Sequence, residues 1–409
     1  MRITLTPAVR NTGLAITAAT GLALSGFALA PTAGASPVSH GVSTSQSCAV
    51  AKKADVMACK ALKVTSSLKT MAKSSGSVNP AAAPSGFGPA DIQAAYGLPA
   101  SGGDGATVAI VDAFDDPNAE ADLATYRSTY GLPECSTDNG CFSKVGQSGT
   151  SALPTPDKGW AEEISLDLDM VSAACPGCHI LLVEADDSSM TNLGESVNTA
   201  VSLGAKYVSN SYGGGESSAD TSYDSTYFDH PGVAITVSAG DSGYGTEYPA
   251  ASRFVTSVGG TSLRADSSSR GWSESAWSGT GSGCSSVDAK PDWQTDSECD
   301  GRTISDVSAV ADPATGVAVN DTYGGDTGWE VFGGTSASSP IIASVYALAG
   351  TPSSGSYPAS FPYAHTDGLN DVASGSNGSC SGSYLCTGAE GYDGPTGLGT
   401  PNGVSAFTG

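Results

Sequence analysis

Positive charge is scarce over most of this chain. Residues 85–409 hold nine Lys and Arg against forty Asp and Glu, a net of −31. A body this acidic offers no basic patch for phosphate contacts, which excludes nucleic acid as a partner. Histidine is also short, with only His40, His179, His230 and His365 in 409 residues. His40 lies in the N-terminal leader, His179 opens an apolar run, His230 precedes Pro231 as a helix-end cap would, and His365 sits in a polar loop. No His-Gly-Thr-His-like segment occurs, so a serine hydrolase with a histidine base is poorly supported. Beyond the N-terminus no apolar run approaches the ~20 residues of a bilayer span, so no membrane association is expected. Cys175-Pro-Gly-Cys178 has no second Cys-x-x-Cys and no histidine set beside it, which argues against zinc. Charged residues make up only 14% of the chain while glycine reaches 53. That balance suits a loop-rich secreted enzyme better than a coiled coil or a disordered tail.

What is present begins with an export signal. Arg2 and Arg10 precede an apolar run from about Leu14 to Ala30, and Ala33-Gly34-Ala35 gives a small-x-small cleavage pattern. Residues 1–35 therefore read as a signal peptide. The ten cysteines fit an oxidising compartment. They fall into close pairs, Cys48/Cys59, Cys135/Cys141, Cys175/Cys178, Cys284/Cys299 and Cys380/Cys386. Local pairing is the expectation, although spacing alone does not decide connectivity. Residues 1–84 carry eight Lys and Arg against Asp55 alone, a net of +7. Residues 36–84 thus form a short basic prosegment and linker, able to dock on the acidic body by attraction. Its piece from Cys48 to Leu68 is expected to be helical. Ser74 to Pro84 has linker composition, which places the domain boundary there and the main domain at 85–409.

From Ser85 onward strands and helices alternate. Strands are expected over 106–111, 179–184, 207–211, 233–238 and 254–258. Helices are expected over 89–96, 119–130, 160–174, 190–203 and 222–230. This order implies an α/β fold whose central, mostly parallel sheet is flanked by helices. Sites in such sheets lie at the carboxyl ends of strands, where Asp112, Ser211 and Asp241 fall.

Three stretches carry chemistry. Gly333-Gly334-Thr335-Ser336-Ala337-Ser338-Ser339-Pro340 precedes an apolar run, as a tight turn delivering Ser336 to the start of a buried helix. A helix N-terminus has free N–H groups, so such a serine brings part of an oxyanion hole with it. Glu163 and Asp167 are spaced i, i+4 and share a helix face. Two acids there with no basic partner repel each other unless they share a proton, and sharing raises one of them into the range of a general base. Such pairs are more often a solvated face, and this one gains meaning only beside a nucleophile. Asp241, in Ser238-Ala239-Gly240-Asp241, follows a strand, and only its protonated form could donate to an oxyanion.

Glu163-Ile164-Ser165-Leu166-Asp167, then Asp241, then Gly334-Thr335-Ser336-Ala337-Ser338-Ser339-Pro340 together resemble the sedolisin, or serine-carboxyl peptidase, family. The resemblance covers residues 85–409 and implies a subtilisin-like three-layer fold. It implies an acid-active secreted peptidase in which Ser336 is the nucleophile, Glu163 the base, Asp167 its partner and Asp241 the oxyanion donor. Protein or peptide substrates, endopeptidase action and a monomer are the matching expectations. Tyr207 to Gly215 would line the substrate cleft. The family also binds calcium, and one structural Ca2+ is expected at Asp371, Val372, Ala389, Gly391 and Asp393. Oxygen-only ligation suits that ion. Two departures stand out. The leader is far shorter than the family's folded prodomain, and Glu162 beside Glu163 offers a competing base. The alternatives are a hydrolase with an unrecognised histidine and a non-catalytic secreted binding domain.

Overall fold

The computed structural model describes residues 42–50, 53, 55–65 and 84–409. The signal-like stretch and nearly all of the linker lie outside them. Three short strands come first: β1 Thr44–Gln46, β2 Ala58–Cys59 and β3 Leu62–Val64. The expected leader helix does not form among the described residues. Cys48 and Cys59 are disulfide-linked, which closes a loop between β1 and β2. Leu62, Lys63, Val64 and Thr65 then alternate apolar and polar, a period of two that suits a strand.

The central sheet follows, built from α1 Pro89–Tyr96, β4 Thr107–Ala113, α2 Ala119–Tyr130, β5 Phe142–Gly146, α3 Lys158–Ala174, β6 His179–Ala185, α4 Met190–Ser202 and β7 Tyr207–Asn210. Next come β8 Tyr212–Gly213, α5 Asp220–Tyr223, β9 Ala234–Ser238, β10 Thr256–Ala265 and β11 Trp272–Ala276. The expected helix over 222–230 is thus a single short turn, continued by a π turn at Asp224–Phe228. The last stretch contains β12 Gly283–Ala289, β13 Gly301–Ile304, β14 Val307–Val310, β15 Val317–Asp321, β16 Gly328–Gly333 and α6 Thr335–Ala349. The sheet runs β11-β10-β9-β7-β4-β6-β5, with β14 also paired to β10. Every pairing in it is parallel except β10 with β11.

β4 shows why helices cover both faces. Val108 and Ile110 belong to the core shared with α3 and α6. Ala109, Val111 and Ala113 belong to the core shared with α4. Alternate side chains point to opposite faces, so an unbroken apolar strand needs a layer on each. Asp112 is in phase with Val108 and Ile110, which turns it toward α3 and α6. All five cysteine pairs are local disulfides, so Cys175 and Cys178 hold neither metal nor a free thiol. No helix among the described residues is long and apolar enough to cross a membrane.

Candidate active site

Helix α6 runs through the interior, with Thr335 to Ala347 buried. Gly334 enters it at φ 97°, a left-handed conformation that glycine adopts without strain. Ser336 is therefore at the second helical position, where its N–H has no intrahelical acceptor. Pro340, four residues on, has no N–H for the Ser336 carbonyl. The Ser211 Oγ stands 3.5 Å from that carbonyl instead. The Ser336 hydroxyl donates to Glu163 Oε2 at 2.8 Å.

Helix α3 brings the acids. Asp157 caps it by accepting from the Trp160 N–H at 3.1 Å. Trp160 to Ala174 are all buried, so this is not a solvated acidic face. Asp167 Oδ1 accepts from Ser211 Oγ at 2.8 Å. Glu163 Oε1 and Asp167 Oδ2 receive no N–H or hydroxyl hydrogen from the described residues. Burial pushes both carboxyls well above the usual range, and the charge of Asp112 adds to it. Glu163 also raises Asp167 through its charge and a hydrogen bond between the two, as two carboxyls sharing a proton do. Asp112 is fully buried, neither of its oxygens has a hydrogen-bond partner among the described residues, and burial lifts it to about 8.

Asp241 approaches from the end of β9. Its Oδ1 accepts from the Thr335 N–H and hydroxyl, both at 2.8 Å, while Oδ2 is buried without a partner among the described residues. Burial lifts the carboxyl to about 7 despite the Thr335 bonds and the nearby charge of Lys60. The four expected catalytic side chains thus converge at the carboxyl end of the sheet. Ser211 joins them as a hydrogen-bond partner of Asp167; its place at a strand end and its position within the expected cleft segment, Tyr207 to Gly215, are the sequence signals for it.

Glu162 points elsewhere. It pairs with Lys63 at 3.3 Å and Lys158 at 3.7 Å. Glu162, Asp321 and Asp326 converge with metal-ligand spacing, but these two lysines supply the positive charge there. None of the described histidines bonds Ser336. His179 starts β6 at the end of the sheet opposite the site, and His230 Nε2 pairs with Asn198 Oδ1 at 2.9 Å.

The expected calcium residues also meet. The Gly391 N–H donates to Asp371 Oδ2 at 3.0 Å, and the Ala389 N–H to Asp393 Oδ2 at 2.9 Å. Burial raises Asp393 to about 7, with the charge of Asp371 adding to it. Two close acids and an all-oxygen donor set from two neighbouring segments, 371–372 and 389–393, fit a hard divalent cation.

The Subtilase family matches residues 148–356, half of the chain. Kumamolisin of Bacillus sp. (strain MN-32) is 30% identical over 362 residues, which is 79% of this chain and 63% of that protein. Sedolisin of Pseudomonas sp. (strain 101) is 28% identical over 325 residues, 68% of this chain and 53% of that protein. The chain therefore spans less than two thirds of these relatives' length. A solved structure of Pseudomonas sedolisin, a serine-carboxyl proteinase complexed with two molecules of pseudo-iodotyrostatin, matches with a TM-score of 0.66 and 26% identity. That match covers 78% of this chain and 96% of the other. The chain belongs to the sedolisin family of the subtilases.

Proposed function

We propose that this protein is an exported, acid-active serine-carboxyl peptidase that hydrolyses protein or peptide substrates through an acyl-enzyme. Residues 1–35 act as the signal peptide, 36–84 as the prosegment and linker, and 85–409 as the catalytic domain. Five disulfides support an oxidising destination. The observation that carries the reading is the 2.8 Å bond from Ser336 Oγ to a buried Glu163 that has carboxyls, and no histidine, behind it.

Ser336 Oγ attacks the peptide carbonyl while its proton passes to Glu163. Asp167 keeps Glu163 basic enough to accept it, because two buried carboxyls cannot both ionise cheaply. Asp112 extends that network. The developing oxyanion takes hydrogen bonds from the Ser336 N–H and from protonated Asp241. Glu163 then protonates the leaving amine, and water hydrolyses the ester by the reverse path. Removing one oxyanion donor in related chemistry costs about 10²–10³ in rate. Activity should therefore fall as pH rises through about 7, where Asp241 loses its proton. Digestion of a denatured protein across pH 3–8, with products read by mass spectrometry, tests this. Ser336→Ala should abolish cleavage at every pH; persistent cleavage would sink the proposal.

Asp371 and Asp393, with the carbonyls of Val372, Ala389 and Gly391, would hold one Ca2+. The ion would brace the C-terminal loop and takes no part in the chemistry. Chelation should lower the melting temperature by several degrees, and Asp371→Ala should remove that sensitivity. A melting temperature indifferent to chelator would dismiss the site.

A further inference from the structure

The leader does not merely rest on the acidic body; it runs through the cleft as an extended strand. β2 pairs antiparallel with β8, placing Ala58 opposite Gly213 and Cys59 opposite Tyr212. The Lys60 N–H donates to the Ser211 carbonyl at 3.1 Å. Beyond it, β3 pairs antiparallel with β16, with Leu62 opposite Gly333. Backbone pairing thus grips the chain on both sides of the Lys60–Ala61 peptide bond. Strand addition of this kind is how extended peptides dock on sheet edges.

The atoms of that bond meet the proposed catalytic groups in the order the chemistry needs. The Ala61 N–H faces Glu163, the same carboxyl that accepts from Ser336, and offsets part of its upward shift. A methyl group on Gly334 would lie 1.9 Å from the Lys60 carbonyl oxygen and 2.6 Å from Asp241 Oδ2. The carbonyl oxygen and the unpartnered carboxyl oxygen therefore border one space, beside the nucleophile turn. The Lys60 side chain has its own receptor. Its Nζ pairs with Glu247 Oε2 at 2.5 Å, and both side chains are mostly buried, 11% and 16% exposed. Glycine walls this pocket. A methyl on Gly213 would meet Glu247 Oε2 at 2.6 Å and Lys60 Cε at 3.2 Å, and one on Gly240 would meet Glu247 Cδ at 2.8 Å.

We infer that Lys60–Ala61 is the bond this chain cuts in itself, and that Glu247 makes the pocket select lysine or arginine on the acyl side of the bond. The inference rests on the serine-carboxyl reading. Ser336 Oγ adds to the Lys60 carbonyl carbon and the C–N bond breaks. The serine proton passes through Glu163 to the Ala61 nitrogen. Water then releases Lys60 as a free carboxylate and restores Ser336. The cut halves stay side by side, because β1 pairs with β3 and the Ser47 N–H donates to the Ala61 carbonyl at 3.1 Å. The Cys48–Cys59 disulfide closes the loop that presents the bond. The leaving strand is retained, so the leader inhibits until its N-terminal part dissociates.

The experiment uses the full chain, incubated at pH 4 and read by N-terminal sequencing and intact mass, beside a denatured-protein digest. The expected product begins at Ala61, and the Ser336→Ala chain stays whole. Lys60→Glu should slow the self-cut by about 100-fold, and Glu247→Lys should restore it in the double variant. Glu247→Gln should lower the ratio of cleavage after Lys or Arg to cleavage after Leu by about 10-fold or more. An enzyme that digests the denatured protein, yet shows no Ala61 start and an unchanged ratio in Glu247→Gln, overturns this inference alone. Absence of any Ser336-dependent cleavage overturns the peptidase reading and this inference with it.

Discussion

Glu162 and Glu163 are consecutive residues of α3, and the helix turns them to different company. Glu162 joins Asp321, Asp326 and Glu330 in a cluster served by Lys63 and Lys158. Burial would raise Asp326, yet hydrogen bonds from Lys158 and Lys63 hold it at about 2. Glu163 joins Asp112 and Asp167, with no cation bonded to any of the three among the described residues, and burial drives all three upward. In the first cluster Lys63 and Lys158 pair with Glu162, Asp326 and Glu330 and fasten the leader strand, while burial raises Glu162 in part and lifts Asp321, which has no lysine paired to it among the described residues, to about 8. The second keeps like charges together in the dry interior, where they hold protons instead. A number of acids thus says little; the partner supplied to each decides whether it is a strut or a base.

Removing each glutamate in turn separates the two clusters most sharply. Glu163→Gln should lower kcat/KM on a denatured substrate by about 10²–10⁴, the range for losing a general base. Glu162→Gln should stay within about 10-fold. Equal losses would show that the two clusters are not distinct.

A smaller effect separates them by pH. Asp112 and Asp241 have folded values of about 8 and about 7, above the ordinary carboxylate range. Below pH ~4 both the folded and unfolded chains keep these protons, and the native state carries no penalty. As pH rises, the unfolded chain releases them first, so native stability falls until about pH 8. Urea unfolding should show the protein more stable at pH 4 than at pH 8, by an amount of order several kcal/mol. Asp112→Asn should flatten that slope. A profile rising toward neutrality would contradict the protonated cluster.

The smallest effect belongs to the paired cluster. Lys63 is half-buried among three acids, so Lys63→Met should loosen the leader by about 1–3 kcal/mol, well under the cost of a deeply buried pair. Hydrogen exchange at residues 61–65 should quicken while the Ser336 region is unchanged. Equal quickening in both regions would show that the two clusters are coupled.

The site residues were legible because their relations are local or short. Glu163 and Asp167 share a face by helix periodicity, and Ser336 stands where a glycine turn meets an apolar run. Asp241 ends a strand, and its raised state follows from burial that the strand pattern already implied. The leader was misread for the opposite reason. Its four-residue alternation from Leu62 to Thr65 is too short to outweigh a lysine-rich, helix-prone segment, and its partners, Tyr212–Gly213 and Phe332–Gly333, are far away in sequence. β12 is likewise hard to see, since Ser and Asp occupy much of a half-exposed strand. Pairing across such distances leaves almost no trace in either segment alone.

The edges that grip residues 58–63 recognise main chain, and only Lys60 and Lys63 among these residues add ion pairs of their own. β8 and β16 offer their N–H and C=O groups to any polypeptide that arrives fully extended. A folded protein rarely presents six residues in that form; an unfolded one does so constantly. On the proposed acid-active reading, acid, by unfolding many proteins, would supply the enzyme with its substrates under the same conditions that keep the proton on Asp241. Selectivity in such a peptidase lies as much in the disorder of the prey as in its sequence.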